Sequence, residues 1–170
     1  MFTIIYVAFL MDADALVKIT KAGLKETLTA HLDLRMAPVV AKEVVQEGKR
    51  LGHADAAEVE RNLTRKRLRV TRDPSPSPKA ALFKGGEADL VALYETGDYA
   101  AVISDDQRFL KRAVEFGIDF LTPSATLVLL VRRRKLSERA ACDRLGALKP
   151  YVSAEEYTLA AQELGCGGKQ

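Results

Sequence analysis

The sequence predicts an α/β fold, a three-layer α/β/α sandwich with a central parallel sheet, in a single domain over residues 1–170. Short apolar stretches alternate with helical patterns, as strands joined by helical crossovers do. The first stretch, from Thr3 to Met11, is almost entirely apolar, which is typical of a strand covered on both faces. With 48% hydrophobic and 29% charged residues, a chain of this length can bury a substantial core.

The remaining elements follow in order along the chain. Further strands are predicted at short apolar stretches near residues 35–37, 68–70, 100–103 and 118–121. Helices are predicted where apolar residues recur at helical spacing or a polar helical pattern occurs, in regions 16–28, 38–45, 54–62, 87–95 and 109–117. Three alternating prolines between residues 73 and 78 indicate a loop, not a domain linker.

A helical extension over about 124–165 follows the core motifs, which span about 3–121. Thr122 and Pro123 are a typical N-cap and first residue for its first helix. Ser153 and Glu156 have the spacing of a capping box, which predicts the start of the last helix.

Charge and cysteine content restrict the setting of the protein. The net charge of +3 is mild, and the basic runs at 61–72 and 132–135 suit either phosphate contacts or solvated helix faces. The two cysteines, Cys142 and Cys166, have no metal-binding spacing, and no disulfide is expected. The apolar N-terminal stretch is too short to span a bilayer and has no basic leader, so we expect no membrane association and a reducing, cytoplasmic setting.

Acidic residues directly follow two of the predicted buried strands, at Asp12 and at Asp105-Asp106. Parallel strands end at a common edge of the sheet, where ligands bind in such folds. Carboxylates without neighbouring His or Cys favour Mg²⁺ or Mn²⁺ over zinc. The sequence therefore predicts that these acids form a divalent-metal site at that edge.

Four motifs in this order resemble those of the PIN-domain family. They are Asp12-Ala13-Asp14-Ala15-Leu16 after the first strand, Pro38-Val39-Val40-Ala41-Lys42-Glu43-Val44-Val45, Gly86-Glu87-Ala88-Asp89-Leu90-Val91-Ala92-Leu93, and Ile103-Ser104-Asp105-Asp106. Each motif alone is weak, whereas four in sequence are fairly specific.

The resemblance implies a metal-dependent endoribonuclease that cleaves single-stranded or structured RNA with metal-activated water. It implies Mg²⁺ or Mn²⁺ as cofactor, and many members are toxins that bind a small antitoxin or form homodimers. The residues that it marks as catalytic are Asp12, Glu43, Glu87 and Asp106. The metal ligands that it marks are Asp12, Glu43, Asp89, Asp105 and Asp106, with Asp14 and Ser104 in support.

Several of these assignments stay open at the level of sequence. Glu87 and Asp89 compete for one acidic position, as do Asp105 and Asp106. Asp14 stands where the family usually has Asn, Ser or Thr and adds a charge. Asp12 and Asp106 also suit helix N-caps. RNA-binding side chains are predicted at Arg65, Lys66, Arg67 and Arg108.

Two other functions compete with the nuclease. The Asp12-x-Asp14 pattern also resembles that of haloacid-dehalogenase-like phosphatases, in which Asp12 would be the nucleophile. Thr71 and Lys84 would then be the remaining catalytic groups, although both are poorly spaced for it. The third possibility is a catalytically inactive PIN-like module that binds RNA or a protein.

Overall fold

The computed structural model describes residues 7–50, 52, 57, 60–61 and 68–167, with the backbone alone at 47 and 48. Its parallel sheet has five strands in the order β3-β2-β1-β4-β5. The strands are β1 (Ala8–Met11), β2 (Asp33–Met36), β3 (Arg69–Val70), β4 (Tyr99–Ile103) and β5 (Phe120–Leu121). All of them lie where the sequence predicts a strand, and residues 3–6 of the first predicted strand lie outside the described residues.

The helices between and after these strands also follow the predicted order. They are α1 (Ala13–Lys21), α2 (Lys25–His31), α3 (Pro38–Lys42), α4 (Gly48–Arg50), α5 (Gly86–Tyr94), α6 (Gln107–Glu115), α7 (Pro123–Arg132), α8 (Glu138–Leu148) and α9 (Ala154–Leu164). A π-helical turn, Glu43–Glu47, joins α3 to α4. The predicted helix at 54–62 lies mostly outside the described residues.

The strand order determines how the helices cover the sheet. From β1 the chain moves to β2 and β3 on one side, and it then returns past β1 to β4 and β5 on the other. Right-handed crossovers in opposite directions place their helices on opposite faces of the sheet. Accordingly, α1 contacts α7 from the C-terminal part, whereas α5 contacts β4. The fold is the predicted α/β/α sandwich.

The central strand β1 is buried along its whole length, as its apolar sequence predicts. Leu10 and Met11 are fully buried, and Leu16 and Ile19 of α1 are buried beside them in the core. Each such side chain contributes about 1.5–3 kcal/mol when it leaves water. This burial fixes the end of β1, and therefore the position of Asp12.

The helical pattern predicted through residues 16–28 is divided into two helices. Gly23 has a φ of 70°, a left-handed conformation that glycine adopts without steric cost. The Gly23 N–H donates to the Thr20 carbonyl and the Leu24 N–H donates to the Ile19 carbonyl, which closes α1. Apolar periodicity continues across this break because α1 and α2 both face the core, so periodicity alone does not reveal the turn.

The side chain of Glu156 does not take the role that the predicted capping box gives it. Ser153 caps α9 by accepting from the Glu156 N–H at 3.1 Å, as expected. The Glu156 carboxylate, however, accepts from the Ser124 N–H at 2.9 Å, at the start of α7. Burial raises the pKa of Glu156, and hydrogen bonds from Ser124 oppose this rise. The side chain therefore ties α9 to α7.

Replacement of Glu156 by alanine should destabilise the fold. The variant Glu156→Ala leaves the buried Ser124 N–H without its acceptor, which costs about 1–3 kcal/mol. Glu156→Gln keeps a carbonyl acceptor of similar size and removes the buried charge, so it should be at least as stable as the parent. Urea unfolding at neutral pH measures the difference, and equal stability of the Ala and Gln variants would contradict this role.

The two cysteines form a disulfide, Cys142–Cys166, that joins α8 to the end of α9. The expectation of no disulfide was therefore wrong, and the bridge does not support the reducing setting that was predicted with it. The residues lie 24 positions apart in sequence, and the packing of α8 against α9 brings their Cα atoms to 5.5 Å.

In the described ranges, no helix has both the length and the apolar character needed to cross a membrane.

Candidate active site

Asp12 and Ser104 lie at the switch point of the parallel sheet, where the direction in which the chain adds strands changes from one side of β1 to the other. Asp12 follows β1, Ser104 follows β4, and these strands are neighbours that lead to opposite sides of the sheet. The Asp12 N–H donates to the Ile103 carbonyl at 3.0 Å, which holds the two strand ends together. Ligands of open parallel α/β sheets bind at such a point, beyond the carboxyl ends of the strands.

The Asp12 carboxylate is held by two hydrogen bonds inside this edge. Ser104 Oγ donates to Oδ2 at 3.0 Å, and the Ala13 N–H donates to Oδ1 at 2.8 Å. Burial nevertheless raises the pKa of Asp12 to about 6, with further contributions from the negative charges of Asp14 and Asp105. A cation next to this carboxylate would favour its ionised form.

A cleft of about 420 Å³ opens beside Asp12. Its lining combines acidic and basic side chains from several distant segments: Asp12, Glu43, Lys84, Gly86, Glu87, Arg108 and Arg112. Glu43 is the C-cap residue of α3 and the first residue of the π-helical turn, a type of distortion that is frequent at functional sites. Glu87 lies in the first turn of α5. The structure thus brings together one acid from each of the first three motifs.

Asp89 lies in a different groove from Glu87, although only two positions separate them on α5. Two residues of an α-helix are about 200° apart around the axis, so both cannot face the same cleft. Asp89 borders a groove of about 230 Å³ between the proline-rich loop and α5, whose lining includes Pro74 of the loop and Ala92 of the helix. The structure places Glu87, and not Asp89, with Asp12.

Asp106 caps the helix that follows it. Its Oδ1 accepts from the Arg108 N–H at 2.8 Å and from the Phe109 N–H at 3.1 Å. Its own N–H donates to Ser104 Oγ at 3.3 Å. The side chain therefore fixes the start of α6 and the orientation of Ser104, and it is absent from the lining of the cleft beside Asp12 in the described part of the chain.

Asp105 forms an ion pair with Lys18 of α1. Lys18 Nζ lies 2.5 Å from Asp105 Oδ2 and 3.1 Å from Asp14 Oδ2. The Asp105 side chain is 6% exposed, whereas that of Asp14 is 68% exposed. Asp105 is thus much more deeply buried than Asp14, and a lysine already partly neutralises it.

The predicted RNA-binding residues differ in how far the structure describes them. Arg65, Lys66 and Arg67 lie outside the described residues. Arg108 is exposed and lines the cleft.

Arg112 and Lys84 also line the cleft, and neither was predicted from the sequence in this role. Arg112 donates to the Leu82 carbonyl, and its guanidinium lies 4.1 Å from the centroid of the Phe83 ring. The sequence signal for Arg112 is its position on the amphipathic helix α6, one turn after Arg108.

The donor set of the cleft suits a hard divalent cation. In the ranges that the structure describes, no three His, Cys, Asp or Glu side chains are close enough to hold a metal by themselves. Mg²⁺, however, is usually bound by one or two carboxylates together with water and substrate phosphates. Asp12 offers a buried carboxylate that a cation would stabilise, and Glu43 and Glu87 line the same cleft. All three supply oxygen, the donor that Mg²⁺ and Mn²⁺ prefer.

Thr71 lies far from this cleft in the sheet. It follows the edge strand β3, which β2 separates from β1, and its N–H donates to the Met36 carbonyl. A phosphatase of the haloacid-dehalogenase type would need its Ser or Thr close to Asp12. The structure does not provide that arrangement, although Lys84 does reach the cleft.

Comparison with family models gives a match to DUF3368, described as a PIN domain, over residues 8–165. A search of curated proteins gives no match. The matched region includes the four motifs and continues through α7, α8 and α9, so the C-terminal helices are part of the family's common region. With nearly the whole chain matched, and with its fold as expected, the protein belongs to the PIN-domain family.

Proposed function

We propose that this protein is a divalent-metal-dependent endoribonuclease whose active site is the cleft beside Asp12. The observation that carries the proposal is the lining of this cleft, which combines Asp12, Glu43 and Glu87 with Lys84 and Arg108. Carboxylates suit a metal ion, and cations suit the phosphates of a nucleic acid. The PIN fold is of a nuclease type, which agrees with this chemistry.

The acidic residues would have two roles, as a ligand of the metal and as acceptors of the proton of the attacking water. Asp12, which Ser104 and the Ala13 N–H orient, is the proposed ligand of Mg²⁺ or Mn²⁺. Such a cation lowers the pKa of water and offsets negative charge on a phosphodiester. The carboxylates of Glu43 and Glu87 would accept hydrogen bonds from the attacking water and take up its proton.

The basic residues would position the RNA backbone. Lys84 and Arg108 are exposed at the cleft and can each neutralise one phosphate. Arg112 is held against Phe83, so its guanidinium is already restricted before substrate binds. Contacts to phosphates carry no sequence information by themselves, so these residues would hold a polynucleotide strand without selecting a particular sequence.

The proposal extends to the biological setting. Cleavage of RNA suits a cytoplasmic protein and the toxin of a toxin–antitoxin pair, with an antitoxin or a second copy of the chain as partner. A small open reading frame immediately upstream of the gene would support the toxin role. Co-purification of its product with this protein would test the partner directly.

The pair Glu87 and Asp89 gives a matched test of the active site. Glu87→Gln should reduce cleavage of single-stranded RNA by about 10²-fold, the usual loss when a general base is removed. Asp89→Asn should remain within about twofold of the parent, because Asp89 faces the other groove and its loss leaves the cleft intact. Both changes remove one charge from the same end of α5, so effects on the helix itself are similar.

The assay follows a labelled RNA and the matching DNA with Mg²⁺, with Mn²⁺ and with a chelator. Cleavage that requires the metal and falls only in Glu87→Gln supports the proposal. Equal losses in both variants, or cleavage that persists in chelator, would contradict it. RNA binding without cleavage by the parent protein would instead support the inactive binding module.

A further inference from the structure

The ammonium of Lys18 lies inside the acidic edge of the sheet. It contacts Asp105 at 2.5 Å and Asp14 at 3.1 Å, and only about a quarter of its side chain is exposed. Lys18 lies one turn after Asp14 on α1, while Asp105 follows β4, 87 positions later. The contact therefore depends on the fold and not on local sequence.

The charge of Asp105 needs a cation in this environment. Its side chain is 6% exposed, its Oδ2 accepts from Lys18, and its buried Oδ1 has no hydrogen-bond partner in the described chain. A buried carboxylate whose partner is removed is strongly destabilising. Either an ammonium or a metal ion could meet this need, and Lys18 is the cation that the chain itself supplies.

Asp105 is also close enough to Asp12 for their charges to interact. The negative charge of Asp105 is among the causes that raise the pKa of Asp12. Asp12, Asp14 and Asp105 could together attract a cation if Lys18 were absent. With Lys18 present, its ammonium occupies the Asp105 oxygen that such an ion would use.

We propose that Lys18 acts as a built-in cation that removes Asp105 and Asp14 from metal binding and limits the acidic edge to one divalent ion, on the Asp12 side. This inference rests on the metal centre of the proposed function. It makes Lys18 a positioning residue: it holds Asp105 next to Asp12 and keeps a second ion out. An ion pair that only stabilises the fold would leave the number of bound ions unchanged.

The number of Mn²⁺ ions bound tests the inference without any measurement of activity. Equilibrium dialysis with metal analysis, or the electron paramagnetic resonance signal of free Mn²⁺, gives this number for the full-length protein. The parent should bind one ion. Lys18→Met should bind two, and Lys18→Arg should bind one, because arginine keeps the positive charge.

A double variant guards against a Lys18→Met protein that fails to fold. Lys18→Met/Asp105→Asn replaces the pair with neutral side chains, a change that buried ion pairs often tolerate. It should bind one Mn²⁺ ion, with a dissociation constant within about threefold of the parent value, since neither residue would be a ligand. Loss of that ion would overturn the inference, because it would make Asp105 a ligand in the parent.

The remaining outcomes separate this inference from the proposed function. Two ions in the parent, or a single ion in a folded Lys18→Met protein, would overturn the role of Lys18. A parent that binds no ion but gains one in Lys18→Met would support the role of Lys18 while contradicting the metal centre. Circular dichroism and thermal melting of each variant confirm that the binding numbers refer to folded protein.

Discussion

Asp12→Asn should strongly reduce RNA cleavage and at the same time stabilise the folded protein above pH 6. In the proposed site Asp12 is the metal ligand at the end of the central strand. A bound metal contributes several kcal/mol of stabilisation to the transition state, so loss of the ligand should reduce cleavage roughly 10³-fold. The asparagine side chain is nearly the same size and can keep the hydrogen bonds with Ser104 Oγ and the Ala13 N–H.

The gain in stability follows from the pKa of Asp12. Burial, followed by the charges of Asp14 and Asp105, raises this pKa from 3.8 to about 6 in the folded protein. At a pH between these two pKa values, Asp12 keeps its proton in the folded state and has released it in the unfolded chain. Stability therefore falls as the pH rises through this range, by up to about 3 kcal/mol for a shift of two pKa units. Asparagine does not ionise, so Asp12→Asn avoids this loss.

Urea unfolding in chelator at about pH 4 and about pH 7.5 measures the effect. The variant and the parent should be similar at the lower pH, and the variant should be more stable by about 1–3 kcal/mol at the higher pH. Asp143→Asn, a change at an exposed residue of α8, is the control and should show no such dependence. Added Mg²⁺ should stabilise the parent more than Asp12→Asn. A variant that is less stable than the parent above pH 6 would contradict the assigned environment of Asp12.

The positions of the strands were predictable because each depends on residues close together in sequence. The apolar run before Asp12 identifies the central strand, and Thr122-Pro123 marks the start of α7 by local cap geometry. The strand order then follows from the right-handed crossover rule only in part. Which strands become neighbours also depends on packing between distant segments, and the sequence does not display that directly.

The choice between neighbouring acids could not be made from the sequence. Glu87 and Asp89 both suit the first turn of a helix, and the direction of α5 against the sheet decides which one faces Asp12. Asp106 has the spacing of a ligand and also that of an N-cap, and the structure shows it capping α6. In each case a local pattern is compatible with two roles, and only the tertiary arrangement separates them.

Contacts between distant residues were missed for a different reason. Lys18 reaches Asp105 across 87 positions, and Glu156 reaches Ser124 across 32. Neither lysine nor glutamate on an amphipathic helix carries a local signal that it will be buried against a charge or a helix end. The Cys142–Cys166 bridge is similar, because two cysteines 24 positions apart have no metal or disulfide pattern until α8 and α9 pack together.

Charge reversal of Lys84 and Arg108 should weaken RNA binding and its dependence on salt. Both side chains are exposed at the cleft and would each neutralise a phosphate. Removing two phosphate contacts from a single strand should lower the slope of log K against log salt by about 1.4. Added repulsion from the new carboxylates should bring the loss of affinity to roughly 100-fold at low salt.

The measurement compares Lys84→Glu/Arg108→Glu with the parent, both in the Asp12→Asn background so that no RNA is cleaved. Fluorescence anisotropy of a labelled single-stranded RNA at several salt concentrations gives the affinities and the slope. Lys135→Glu/Arg139→Glu has the same charge change beyond the end of α7, at Lys135 in the turn after that helix and at Arg139 in the first turn of α8. The axis of α7 is about 15 Å long, so its end lies well away from the sheet edge where the helix begins. Because Lys135 and Arg139 lie away from the cleft, their reversal should reduce affinity by much less. Equal losses in the two double variants would mean that overall charge, and not the cleft beside Asp12, attracts the RNA.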